Sequence, residues 1–298
     1  MSDSPILHTI VWIINPAGGV GKTMVARVIE GISQMIGVDV ALASQDRGNQ
    51  ALKHSLDNAH LIKAESRAQD AVRIVSRVEN REIFVIDVGA NPSSGEYDPL
   101  PFGAALNAEI TGRGGRMLAV VPTTALKTYG SETAMRVTRD LLNEGLDVHV
   151  VKNHQDRSGN FGKLVLPDSV KVSELGHLPS GIMALAEDER GSLSDPYLTP
   201  VPGYRLAGGF IGRWLINASR EPLMLSVFRG ATSGLSVDPD RHPRPTFEVL
   251  DRKSQVTDEA LLNNYAKFDA FERLRRARSD SELLTAAREF QRMCGSWK

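Results

Sequence analysis

The sequence predicts an α/β fold: a doubly wound, mostly parallel sheet with helices on both faces, followed by a C-terminal helical appendage. Three observations predict it. Short apolar, β-branched runs alternate with segments of helical periodicity along the first two hundred or so residues. The first such run ends in a glycine-rich turn that opens directly into a helical pattern. Near the C-terminus only helical spacing recurs.

Taken in order, His8–Ile14 (HTIVWII) reads as a buried strand. It ends at Asn15-Pro16-Ala17-Gly18-Gly19, and Val25, Val28, Ile29, Ile32 and Ile36 then follow at helical spacing. Val38–Ala43 is the next strand, Ser44–Asn49 a polar turn, His60–Lys63 a short strand and Arg67–Val78 a helix. Ile83–Asp87 (IFVID) is an apolar strand with a carboxylate at its C-terminal end. The Gly-, Pro- and Asn-rich stretch from Gly89 to Pro101 is a loop, and a helix from about Phe102 to Ile110 stops at Gly112. Met117–Val121 is a buried strand, Ala125–Asn143 a helix ending at Gly145, and Asp147–Lys152 a strand. Lys163–Leu166 reads as an edge strand, Ile182–Glu187 as a short helix and Arg205–Ser219 as a longer one. Strands and helices alternating in this way imply right-handed crossovers, so ligand-binding groups collect at the C-terminal ends of the strands.

Residues 1–225 form the main domain on this reading, 226–255 a linker rich in Gly and Pro, and 256–298 a pair of helices. Leu261, Tyr265, Phe268, Phe271 and Leu274 mark the first helix of that pair. Leu283, Ala287, Phe290 and Cys294 mark the second, with Ser279 and Glu282 as a capping box at its start.

Composition narrows the function. The 298 residues are 41% apolar and 24% charged, ordinary for a globular chain. With 35 Lys+Arg against 36 Asp+Glu, attraction to nucleic acid or anionic lipid needs a local basic patch. The single cysteine, Cys294, removes any thiolate metal site or iron–sulfur cluster built within one chain. No apolar run approaches the roughly 20 residues of a membrane span, and Met1–Thr9 lacks the features of a secretory signal, so the expected compartment is the cytoplasm.

The chemistry concentrates in Pro16-Ala17-Gly18-Gly19-Val20-Gly21-Lys22-Thr23, between the first strand and its helix. Glycines at 18, 19 and 21 let the backbone curl so that successive N–H groups converge on one anion, and the helix adds its positive end. Lys22 supplies a mobile cation for the β and γ phosphates, and Thr23 a hydroxyl for a phosphate-bound Mg²⁺. This is a phosphate cradle, and it makes the fold of the P-loop NTPase type. The nucleotide-binding set is Gly18, Gly19, Val20, Gly21, Lys22, Thr23 and Met24.

A strict P-loop wants glycine at position 16, where this chain has Pro. Asn15–Thr23 instead resembles the deviant Walker A loop of the ParA/MinD family. The usual form of that loop is Lys-Gly-Gly-Val-Gly-Lys-Thr, often with an Asn two positions upstream. Six of the seven positions match, Gly18 through Thr23, and the resemblance covers roughly residues 6–190. It implies ATP and Mg²⁺ as ligands. It implies that Asp87, in Asp87-Val88-Gly89, is a Walker B carboxylate that holds Mg²⁺ with Thr23. Asp46 falls where the family has a switch-loop Asp that orients the attacking water, with a one-residue gap; a plain turn is the alternative. Asn153, at a strand end, and Pro179, in His177-Leu178-Pro179, match by position the residues that flank adenine.

The sequence departs from the family at Ala17. The family's lysine there reaches across an ATP-dependent homodimer to the partner's phosphates, and an alanine cannot. Lys127, following the strand that ends at Val121, is a candidate substitute; the alternative is a solvent-facing helix lysine. Arg273, Arg275, Arg276 and Arg278 form the one obvious basic cluster. That cluster is a candidate contact for DNA, a membrane surface or a protein partner, or else the charged outer face of a docked helix.

The leading expectation is therefore an ATP-binding protein of intracellular positioning or partition, acting on a plasmid or chromosome or in conjugation, with slow Mg²⁺-dependent hydrolysis catalysed by Lys22 and Asp46. A nucleotide-binding scaffold that does not cycle is a second reading. A small-molecule ATP-dependent ligase on the same fold is a third.

Overall fold

The computed structural model describes residues 9–45, 52, 56, 59–61, 68–78, 83–89, 99–127, 129–155, 159–162, 164–179, 182, 191–198 and 205–228. Within these, seven strands form one sheet: β1 (Thr9–Ile13), β2 (Val40–Ser44), β3 (Ala59–Leu61), β4 (Ile83–Asp87), β5 (Arg116–Thr123), β6 (Asp147–Asn153) and β7 (Lys171–Leu175). Their order is β3-β2-β4-β1-β5-β6-β7, and every pairing is parallel. The described helices are α1 (Lys22–Ile36), α2 (Ala68–Val78), α3 (Pro99–Gly112), α4 (Gly130–Asn143), α5 (Asp195–Leu198), α6 (Arg205–Ser219) and α7 (Pro222–Val227).

The strands are apolar on both faces, and their two-residue period sorts them into two layers. Val11 and Ile13, Ile83 and Val85, and Leu118 and Val120 face one layer, packed under α1, α6 and α7 through Val25, Val28, Ile29, Ile32, Trp214, Leu215, Leu223 and Met224. The alternate residues Ile10, Trp12 and Ile14, Phe84 and Ile86, and Met117, Ala119 and Val121 face α2, α3 and α4 through Ile74, Val75, Phe102, Leu106, Ala134 and Leu141. Each fully buried large apolar side chain contributes roughly 1.5–3 kcal/mol relative to exposure. Both layers must therefore be covered, as the doubly wound pattern predicts.

Two segments differ from the sequence reading. The edge strand is β7 at Lys171–Leu175, whereas Leu164–Leu166 has no strand structure. Ser173 and Leu175 are buried while Lys171 and Glu174 are exposed, and the backbone of β7 pairs with His149–Asn153. The helix expected from Ala125 begins only at Gly130, so Lys127 lies in the turn ahead of α4 and not on the helix. That turn is closed through Gly130 N–H to Lys127 O, 2.8 Å.

The packed core continues through Phe228, just beyond the expected end of the main domain. The linker 226–255 lies almost wholly outside the described residues. The helical pair 256–298 and its arginines lie wholly outside them.

The topology sets the place of a site. After β1 the chain leaves through α1 toward β2 on one side of the sheet; after β5 it leaves through α4 toward β6 on the other, and α1 and α4 cover opposite faces. The gap between the C-terminal ends of β1 and β5 is a switch point, where α/β sheets bind ligands.

Candidate nucleotide site

The loop after β1 is stitched to its neighbours by the strands themselves. Ile14 N–H bonds Val120 O at 2.8 Å, and Val88 N–H bonds Ile13 O at 3.1 Å. Asn15, fully buried, donates from Nδ2 to Pro122 O at 2.7 Å and accepts the Ala17 N–H on Oδ1 at 2.8 Å. One asparagine side chain thereby anchors the loop to β5 and starts its curl. Beyond it Gly18 and Gly19 are exposed, while Val20 is buried beneath the loop.

Gly21 closes the loop and caps α1 with φ 99° and ψ 23°. A Cβ at Gly21 would stand 1.9 Å from Asn153 Nδ2, so both backbone conformation and close approach require glycine. The Asn153 amide donates to Val20 O at 3.4 Å, and Gln155 Nε2 donates to Gly19 O at 2.9 Å. The segment leaving β6 is thus held against the loop's carbonyls at Val20 and Gly19.

Lys22 is buried, and its ammonium donates to Asn15 O at 2.7 Å and Ala17 O at 2.9 Å. Its ammonium therefore rests on the loop's own carbonyls. Thr23 Oγ1 donates to Asp87 Oδ2 at 2.8 Å. Asp87 is 4% exposed at the end of β4, beside β1, and its backbone carbonyl accepts the Gln45 N–H at 2.8 Å. Two hard oxygen donors, one from the first turn of α1 and one from the end of β4, are therefore in direct contact, the donor type that Mg²⁺ takes alongside phosphate oxygens. The glycine-rich loop, Lys22 and this oxygen pair fit a Mg²⁺–nucleotide.

The structure thus brings together Gly18, Gly19, Val20, Gly21, Lys22, Thr23, Asp87 and Asn153. Met24 follows on the first turn of α1. Asn153 lies against the loop itself, a bracing contact that its position at a strand end did not reveal. Pro179 is buried just past β7, and its carbonyl accepts the Ile182 N–H at 2.9 Å. Asp46 lies outside the described residues, immediately after Gln45.

Sequence reasoning missed Gln155 and His177. The His177 ring nitrogen Nδ1 lies 3.1 Å from Gln155 O, which joins the segment after β7 to the segment after β6. No spacing signals either residue, because each acts through a contact between distant segments. A separate cavity of about 460 Å³ opens at the β7 edge, lined by His154, Glu174, His177, Trp214, Asn217 and Glu221; none of the phosphate-loop residues lines it.

No protein-family model matches the chain, and no curated protein sequence matches it. Solved structures do. The septum site-determining protein MinD from Pyrococcus horikoshii, complexed with Mg-ADP, is 15% identical, with 72% of this chain and 97% of that chain covered and a TM-score of 0.45. The MinD cell division protein from Aquifex aeolicus is 14% identical over 71% and 95% of the two chains, TM-score 0.48. A variant of McdA from Cyanothece, in complex with ATP, is 15% identical over 70% and 96%, TM-score 0.40. The structural neighbours are thus MinD and McdA, proteins of the ParA/MinD family. The candidate site in this chain rests on its own geometry.

Proposed function

We propose that the protein is an ATP-binding protein of the ParA/MinD type that works in intracellular positioning or partition of a cargo in the cytoplasm, with slow Mg²⁺-dependent ATP hydrolysis. The observation that carries the nucleotide part is the Thr23–Asp87 contact of 2.8 Å at the head of a loop whose lysine is held in reserve on Asn15 O and Ala17 O. The process-level part is supported by the sequence of that loop, Gly18 through Thr23 with Asn15 ahead of it.

In this reading the amides of Gly18–Thr23 and the N-terminus of α1 hold the phosphates, and Lys22 turns from the loop carbonyls to them. Thr23 and Asp87 hold Mg²⁺, which when bound neutralises charge on the phosphate chain. Asn153 and Pro179 flank the base, and Asp46 orients the attacking water. Homodimerisation on ATP, and a surface contact with DNA, membrane or protein through Arg273, Arg275, Arg276 and Arg278, complete the proposal.

Calorimetric titration with Mg²⁺–ATP tests it. Binding is expected, and Lys22→Ala is expected to weaken it by at least about 10-fold, the effect of losing one charge-assisted phosphate contact. No detectable ATP affinity, or affinity indifferent to Lys22→Ala, would overturn it. For the surface, co-sedimentation with DNA and with anionic liposomes, with and without ATP, is expected to lose binding when residues 256–298 are removed.

Ala17 favours a second reading, a nucleotide-binding scaffold that does not cycle, because the family's cross-dimer lysine is missing there. A size distribution unchanged by Mg²⁺–ATP, together with no turnover, would favour the scaffold.

A further inference from the structure

We infer that Lys127 is a second phosphate-binding lysine, supplied from the same chain across the switch point to the amide face of the loop. The inference rests on the nucleotide reading above and adds to it a residue and a direction of approach.

Lys127 sits in the turn after β5, on the far side of the switch point from the helix that follows the loop. A Cβ built on Gly19 would lie 3.2 Å from Lys127 Cε and 3.5 Å from its Nζ. The end of the lysine side chain therefore lies in van der Waals reach of the exposed part of the loop. Its stem is aimed by a built turn. Leu126 N–H bonds Thr124 Oγ1 at 3.4 Å, and Gly130 N–H bonds Lys127 O at 2.8 Å. A side chain at Gly130 would come within 2.9 Å of Thr124 O, so a glycine is what lets the turn close this tightly. The turn is also fixed relative to the loop, because Asn15 bonds Pro122 O just ahead of it.

The electrostatics ask for an anion. The ammonium of Lys127 makes no hydrogen bond or ion pair among the described residues, and the nearby carbonyl of Gly19 is taken by Gln155. The end of the Lys127 side chain thus lies against exposed Gly19 in the loop ahead of α1, with no carboxylate among the described residues paired to it. Positive charge beside the positive end of a helix favours an anion placed between them. A phosphate chain held by the amides is reached by Lys22 from within the loop and by Lys127 from outside it. Position 17 is alanine, so its side chain brings no charge, and Lys127 brings one without a second copy of the chain.

Equilibrium binding of ATP and of ADP, each with Mg²⁺, tests this on wild type, Lys127→Ala, Lys127→Arg and Lys22→Ala. Lys127 is exposed, so its truncation is expected to leave the thermal midpoint unchanged. Lys127→Ala is expected to weaken ATP about 10-fold and ADP by less, since the cation interacts more strongly with the more highly charged chain. Lys127→Arg should restore most of the ATP affinity. ATP affinity of Lys127→Ala within about twofold of wild type, or an unchanged ATP-to-ADP ratio, would overturn the inference while leaving the nucleotide site standing if Lys22→Ala still fails. Wild type that binds neither nucleotide would overturn both.

Discussion

At the scale of single residues the site is governed by one close approach. Gly21 combines a left-handed backbone with an Asn153 amide placed where a Cβ would stand, so two separate penalties attach to any side chain there. Gly21→Ala is expected to destabilise the fold by about 1–3 kcal/mol, the usual cost of a strained backbone position, and to abolish ATP binding. Asn153→Ala in the same chain removes the clash but not the backbone strain. The double variant should therefore recover part of the stability, and urea unfolding of the four members of the cycle measures the coupling. Strict additivity would show that Asn153 does not press on the loop. The loop motif was legible in the sequence because an anion cradle demands particular residue types at particular spacings. The Asn153 brace was not, because it depends on where β6 ends relative to β1, two strands away.

At the scale of elements, α1 is the helix that follows the glycine-rich loop, and it is tied down at its middle. Glu30, 2% exposed, accepts Ser192 Oγ at 2.6 Å on one oxygen and Gln34 Nε2 at 2.6 Å on the other. Ser192 in turn accepts from Ser194 N–H at 3.2 Å, and its own N–H bonds Asp195 Oδ2 at 2.7 Å, so the segment leading into α5 is clamped onto α1. Burial raises the Glu30 carboxyl above its ordinary range; the bonds from Ser192 and Gln34 oppose the rise, Asp195 adds to it, and Arg27 opposes it. A folded-state value above the unfolded one means that folding takes up a proton between the two. Stability from this group is then present below the ordinary carboxylate range and declines as pH rises through the raised folded value. Glu30→Gln removes that titration, so the stability difference between variant and wild type should move in the variant's favour as pH rises through this window and then level off. Urea midpoints from about pH 4 to about pH 8 check it; a difference independent of pH would reject it. The helical stripe of α1 was plain in the sequence, whereas its clamp joins residues 162 positions apart and left no local sign.

At the scale of the whole molecule, one arginine joins the sheet to the last described helix. Arg116, at the start of β5, donates to Thr9 Oγ1 at 3.0 Å, to Ser226 O and, at 3.3 Å, to Val227 O, so it caps the C-terminal end of α7 with a cation. Arg116→Met keeps an apolar stem but leaves those carbonyls unsatisfied, and should destabilise by about 1–3 kcal/mol. A chemical denaturation midpoint measures this. A midpoint unchanged from wild type would mean that α7 is held by Leu223, Met224 and Val227 alone. The doubly wound architecture was legible because apolar runs flanked by helical stripes admit few arrangements once crossovers are right-handed. The edge was less so. Lys163–Leu166 and Lys171–Leu175 are similarly short and mixed in polarity, and only backbone pairing with His149–Asn153 selects the second.

The sequence by itself determined the class of fold, the glycine-rich loop Gly18–Thr23 between the first strand and its helix, and the carboxylate of Asp87 at a strand end. Each of these follows from local residue type and spacing. Only the tertiary structure decided the seven-strand order, the edge strand, the rest position of Lys22 on Asn15 O and Ala17 O, the Asn153 and Gln155 supports, and the aim of Lys127 at Gly19. The physical reason is the same throughout. A parallel sheet sets side by side strands that are far apart in the chain, and the contacts made at their C-terminal ends depend on strand order, which no local pattern records.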